Sequence, residues 1–192
     1  DLAKFSSVPV INGLTDFNHP CQIMADIFTV SEKFESMKDI TITYIGDGNN
    51  IVHSWLELAS ILPFNFNIVC PENFKPDMDF VNKTKELKIS NIKVVHDPIE
   101  GVKDSDVLYT DVWASMGQKE EADERKKIFE PYQVNNELMQ ATGKNTFFMH
   151  CLPAERGVEV TDQICDSKNS IIFDQAENRM HMQNAIMLDL LS

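Results

Sequence analysis

Apolar, β-branched runs alternate along this chain with amphipathic stretches, and that alternation restricts the folds open to it more than any other feature. Thr41–Gly46 is a β-branched and aromatic run halted by Gly46-Asp47-Gly48, and Asn50–Leu62 then sets Trp55, Leu58 and Leu62 at helical spacing. The pattern continues with Asn65–Cys70 as strand, Met78–Lys88 as helix, Ile92–His96 as strand and a helical turn at Pro98–Val102. Val107–Thr110 and Phe147–His150 read as further strands, separated by a charged helical insertion from Gln118 to Phe129 and a helix near Asn135–Thr142. Ser170–Phe173 reads as a last short strand before a helix from about Gln175 to Leu191. Repeated strand–helix alternation predicts an α/β fold: a Rossmann-like parallel sheet with helices on both faces.

The first 30 or so residues sit outside that rhythm. Val8-Pro9-Val10-Ile11 reads as a short buried stretch, and His19-Pro20 opens a helix running to about Lys33, a linker to something that precedes residue 1. The start Asp-Leu-Ala-Lys-Phe-Ser-Ser has no initiator methionine and no signal-peptide pattern, as expected of a trimmed product or a piece of a longer protein. A formal charge of −13, from 30 acidic against 17 basic residues, opposes nucleic acid and anionic membrane as partners and leaves small molecules or other subunits. No apolar run approaches the roughly 18 residues that span a bilayer. Cys21, Cys70, Cys151 and Cys165 lack metal-site spacing, so reduced thiols in a cytoplasmic protein are expected.

Four segments carry chemistry. Phe147-Phe148-Met149-His150-Cys151-Leu152-Pro153 is an apolar strand delivering a thiol and two backbone carbonyls to the carboxyl edge of the sheet, where ligands bind in parallel α/β folds. Read with it, Gln175-Ala176-Glu177-Asn178-Arg179 brings one of only three arginines, a plausible oxyanion clamp whose proximity would lower the Cys151 pKa; a structural cysteine is the plainer alternative. His19 and Gln22, three residues apart on one helical face, suit donation to a carbonyl or phosphate oxygen, unless His19 merely caps the helix. Gly46-Asp47-Gly48-Asn49-Asn50-Ile51 invites a dinucleotide reading, but Ile51 stands where G-x-G-x-x-G needs its third glycine, so a nicotinamide cofactor is not supported. What remains is an asparagine pair beside a helix N-terminus, suited to a carboxylate or to ordinary capping. Last, Thr110-Asp111-Val112-Trp113-Ala114-Ser115-Met116-Gly117 holds an acid that can pair with an ammonium and a hydroxyl for the other end of an amino acid, or else a cap at Asp111 and core at Trp113.

In this order the segments resemble the C-terminal two-thirds of an ornithine carbamoyltransferase, and the resemblance covers essentially the whole chain. It implies residues 1–35 as the tail of a carbamoyl-phosphate domain with its linker helix, 36–175 as the ornithine-binding domain, and 176–192 as a helix returning toward an absent N-terminal domain. Carbamoyl-phosphate contacts then fall on His19, Gln22, Cys151, Leu152 and Arg179, and ornithine contacts on Asn50, Asp111, Ser115 and Met116. Of these, Cys151, Asp111 and Arg179 would take part in catalysis, with no metal or other cofactor. Leu152 would offer its carbonyl to the carbamoyl nitrogen, Met116 its amide to the amino-acid carboxylate, and His19, Gln22 and Arg179 would polarise the carbamoyl oxygen. A homotrimer is implied for the full-length parent. The chain departs from the family in having no Ser-Thr-Arg-Thr-Arg phosphate loop, so these 192 residues are expected to hold half a site and to be inactive alone. A non-catalytic amino-acid-binding fragment and putrescine or acetylornithine relatives are the alternatives.

Overall fold

A computed structural model describes residues 1–113 and 122–192. After a short helix α1 (Leu2–Phe5) comes α2 (Pro20–Ser31), and the alternation then begins: β1 (Thr41–Ile45), α3 (Asn50–Ala59), β2 (Asn65–Val69), α4 (Met78–Glu86), β3 (Asn91–Val95), α5 (Pro98–Gly101) and β4 (Val107–Thr110). It resumes with α6 (Ala122–Phe129), α7 (Asn136–Ala141), β5 (Phe147–His150), α8 (Asp162–Cys165) and the long α9 (Ile172–Leu191). The five strands form one parallel sheet in the order β3-β2-β1-β4-β5. Strand order therefore reverses between β1 and β4, which is where open α/β sheets place their ligands.

Period-two side chains divide the core. Ile42, Tyr44, Phe66, Ile68, Tyr109 and Met149 face one way and pack with Ile51, Trp55 and Val81 of α3 and α4. Ile45, Val69, Leu108 and Phe148 face the other way and meet Val102, Phe129, Leu138 and Ile164 beside or within α5 to α8. Both faces are thus covered, as the alternation predicts. Short polar side chains start the helices: Asn49 Oδ1 accepts from Ile51 N at 3.0 Å, Asp77 Oδ1 from Asp79 N at 2.9 Å, and Asn135 Oδ1 from Leu138 N at 3.0 Å.

Two expectations need correction, and a third falls partly outside the described residues. Ser170–Phe173 is not a strand: Ser170 makes an isolated bridge to Phe148, and α9 begins at Ile172. The run is apolar because Ile171 and Ile172 enter the two different core clusters, while Phe173 is 68% exposed and alternates with nothing. Val8, Val10 and Ile11 are exposed, not buried. Of the charged insertion, residues 118–121 lie outside the described residues; the rest is α6.

The β1–α3 turn is held by a close approach that only glycine permits. Gly48 N donates to Phe74 O at 2.9 Å, and a Cβ at Gly48 would stand 2.2 Å from Pro76 N and 2.6 Å from Lys75 C. These neighbours are backbone, so they cannot swing aside. Gly48→Ala should therefore destabilise the fold by on the order of 1–3 kcal/mol, read as a lowered urea midpoint with the slope unchanged. A midpoint equal to that of the parent would show that the 74–76 loop yields freely.

Candidate active site

At the carboxyl edge of β1, β4 and β5 lies a cavity of about 800 Å³, lined among others by His19, Gln22, Asn49, Asn50, Asp111, Cys151, Leu152 and Arg179. Seven of the nine residues proposed from sequence thus share one hollow. Ser115 and Met116 lie outside the described residues.

Each strand contributes at its end. Asp111 follows β4 directly; its Oδ1 accepts from Val112 N at 2.8 Å and from the Cys151 thiol at 3.0 Å, and its Oδ2 accepts from Asn49 Nδ2 at 2.9 Å. Asn49 is thus the asparagine that reaches the acid, and the spacing gave no reason to favour it over its neighbour. Asn50 lines the cavity while its Nδ2 donates to Thr15 O at 2.9 Å. Beyond β5, Leu152 N donates to His150 Nδ1 at 2.9 Å, which leaves the imidazole proton on Nε2, 3.3 Å from Glu159 Oε1. Leu152 itself sits in the left-handed region at φ 58°, a conformation costing about 1–2 kcal/mol for a residue with a Cβ. That strained residue lies at the rim of the cavity, where such geometry clusters in functional sites.

Cys151 keeps some exposed surface, yet its sulfur is packed on nearly all sides. Burial, then the Asp111 charge and its hydrogen bond, push the thiol well above its usual range. Arg179 does not activate it, contrary to expectation: the guanidinium turns to α2 instead, donating to Gln22 Oε1 and standing 3.5 Å from His19 Nε2. The thiol is thus placed as a donor to the Asp111 carboxylate. Asp111, His150 and Cys151 bring ligand-type atoms within 4.8 Å of one another, but Cys151 and His150 Nδ1 already make the internal bonds just described.

On the other wall, His19 is the N-cap residue of α2 and Gln22 lies in its first turn. Burial, then the Arg179 charge, hold His19 below the ordinary imidazole range, so it is neutral at pH 7. Its Nδ1 and Arg179 Nε are buried without partners among the described residues. One Nε2 hydrogen of Gln22 goes to Asp26 Oδ1 at 2.7 Å, while its carbonyl oxygen accepts from Arg179. Burial pushes the Asp26 carboxyl up to about 7, against the pull of hydrogen bonds from Gln22, Gln175 and Tyr109. Sequence reading passed over Asp26, although its i+4 spacing from Gln22 on the same helix face was visible. Facing the site from β1, Asp47 pairs with Arg125, whose Nε also donates to Trp113 O and whose guanidinium lies 4.8 Å from the Phe74 ring.

Two family models match: "Aspartate/ornithine carbamoyltransferase, Asp/Orn binding domain" over residues 38–190, and "Aspartate/ornithine carbamoyltransferase, carbamoyl-P binding domain" over residues 1–32. A chloroplastic ornithine carbamoyltransferase of Pisum sativum is 59% identical over 191 residues, covering 100% of this chain and 51% of the pea protein. That of Thermococcus kodakarensis is 51% identical, covering 97% of this chain and 60% of its own. Among solved structures, ornithine carbamoyltransferase from Pyrococcus furiosus superposes with a TM-score of 0.90 at 48% identity, covering 97% of this chain and 60% of that one. The Gloeobacter violaceus enzyme gives 0.91 at 36% identity, covering 99% and 65%. The chain thus spans between half and two-thirds of the length of these proteins.

A thiol raised by burial and by an adjacent carboxylate reacts slowly with alkylating agents. Cys151 should be modified by iodoacetamide at pH 8 at least tenfold more slowly than free glutathione, and Asp111→Asn should speed it by removing the charge that opposes the thiolate. Peptide mass mapping over time reads both rates; a Cys151 that outpaces glutathione would show an activated thiol.

Proposed function

The chain belongs to the aspartate/ornithine carbamoyltransferase family, and on that premise we propose that the protein it represents transfers the carbamoyl group of carbamoyl phosphate to L-ornithine, giving L-citrulline and phosphate. One observation carries the choice of a cationic amino acid. Asp111 and the Gln22–Arg179–His19 cluster line the same cavity, so an ammonium can be held by the one and an oxyanion by the other. The relatives quoted above, all named ornithine carbamoyltransferases, support the same choice.

In this reading the neutral δ-amine of ornithine attacks the carbamoyl carbon, a tetrahedral oxyanion forms, and phosphate leaves with the C–O electron pair, taking the proton that the attacking nitrogen sheds. Proximity and charge stabilisation supply the acceleration. Asp111 receives the α-ammonium, with Asn49 holding the carboxylate in place. Asn50, Ser115 and the Met116 amide receive the other end of the amino acid. Arg179 and neutral His19 stabilise the oxyanion, and their partnerless buried nitrogens suit that role. Cys151 stays protonated beside the δ-amine and keeps Asp111 oriented through its 3.0 Å contact. Leu152 offers its carbonyl to the carbamoyl nitrogen. A homotrimer and a cytoplasmic setting belong to the same proposal. No helix among the described residues is long and apolar enough to cross a membrane.

The full-length protein should form citrulline from ornithine and carbamoyl phosphate, and Asp111→Asn should cost about 1.5–3 kcal/mol in kcat/KM for ornithine. Putrescine, which lacks the α-carboxylate, should be a poor substrate. Equal rates with putrescine, or unchanged ornithine kinetics in Asp111→Asn, would overturn the assignment of this wall to the amino acid.

A further inference from the structure

Asp26 sits on α2 one turn past Gln22, fully buried, with no ligand of its own to meet. Its Oδ1 accepts two amide hydrogens, from Gln22 Nε2 at 2.7 Å and from Gln175 Nε2 at 2.7 Å. Each glutamine is gripped at its opposite end by a group that can only donate. Arg179 Nη1 donates to Gln22 Oε1, and His150 N donates to Gln175 Oε1 at 3.0 Å. An amide whose oxygen faces an obligate donor and whose nitrogen faces a carboxyl oxygen has a single acceptable orientation. Turned over, Gln22 would set an N–H against the Arg179 guanidinium and Gln175 an N–H against the His150 N–H, with both glutamine side chains buried.

We propose that Asp26 is a positioning residue whose one buried carboxyl oxygen fixes the amide of Gln22 so that the cavity meets a carbonyl oxygen, an acceptor for the N–H of a transferable carbamoyl group. The inference rests on the carbamoyl-transfer reading above. Gln22 Oε1 has two lone pairs, and Arg179 occupies one. A carbamoyl group brings an N–H to the other; an acetyl group brings a methyl and leaves it unpaired in a buried place. Sites built to bond a substrate N–H reject analogues lacking it far more strongly than sites built on shape alone. Through Gln175 the same carboxyl also reaches the backbone N–H of His150, the residue before Cys151. One side chain that touches no substrate therefore aligns both walls of the site.

A double-mutant cycle in the full-length protein tests this. Asp26→Asn loosens the lock, because the asparagine amide can itself turn, and should lower kcat/KM for carbamoyl phosphate severalfold, mainly through KM. Gln22→Glu sets a carboxylate oxygen where the N–H stood and should lose at least tenfold at pH 8.5. In that background Asp26→Asn supplies the missing donor, so kcat/KM should rise at least fivefold: the same substitution changes sign. A decrease or no change in both backgrounds overturns the proposal. If Gln22→Glu does not fold, recovery of folding by adding Asp26→Asn counts as the sign change and its absence overturns the role. Should the unsubstituted protein form no citrulline, the transfer reading falls, and the melting temperatures of the four proteins decide the amide lock separately. The shift caused by Asp26→Asn should then be at least 5 °C more favourable in the Gln22→Glu background, and additive shifts would sink it.

Discussion

A parallel sheet must be buried on both faces, and nearly everything else in this molecule follows from that requirement. Side chains along the central strands are spent on one core or the other, and polar ones among them, such as Thr43 and Asn67, are used up in bonds inside the core. Reactive groups are pushed to the residues just past the strands. Asp111 stands one position beyond β4 and Cys151 one beyond β5, and parallel pairing of Thr110 with His150 brings these two successors together. Their 3.0 Å contact is a product of register.

Charge is distributed with a similar economy. The chain is strongly acidic, yet the carboxylates that matter are each engaged: Asp111 by a thiol and an asparagine, Asp47 by Arg125, Asp26 by two glutamine amides. Arg179 is the one arginine among the residues lining the cavity, and it stands beside a histidine held neutral by its own charge and by burial. The result is a hollow that holds an acidic group and a basic one among its lining residues.

Much of this was legible in the sequence, for identifiable reasons. Strands ending in Gly-Asp-Gly, in Thr-Asp or in His-Cys-Leu-Pro announce both their period and their stop, and all three were placed correctly to within a residue or two. The error at Ser170–Phe173 has a physical source: two consecutive isoleucines serve opposite cores across a turn, a pattern that periodicity cannot separate from a buried strand. At the site, the residues that line the cavity were visible because they sit in local motifs. Their hydrogen-bond roles were not, since Gln22 became an acceptor only through Asp26 and Arg179, and the choice between Asn49 and Asn50 depended on a strand 62 residues away.

The pairing of α2 with α9 also sets an order of events during synthesis. Strands β1 to β4 are complete once Thr110 has been made, and β5 once His150 has. Arg179 meets Gln22 across 157 residues, and Gln175 and Asn178 meet Asp26 and Thr29 across 149. Arg179 also meets His19 across 160 residues, and contacts of such high sequence separation form late for that reason. A ribosome-bound chain therefore holds all five strands before α9 exists, and the Asp26 carboxyl, already met by Gln22 on its own helix, gains its second amide only when the first turn of α9 arrives, so the Arg179 side of the cavity closes after the sheet.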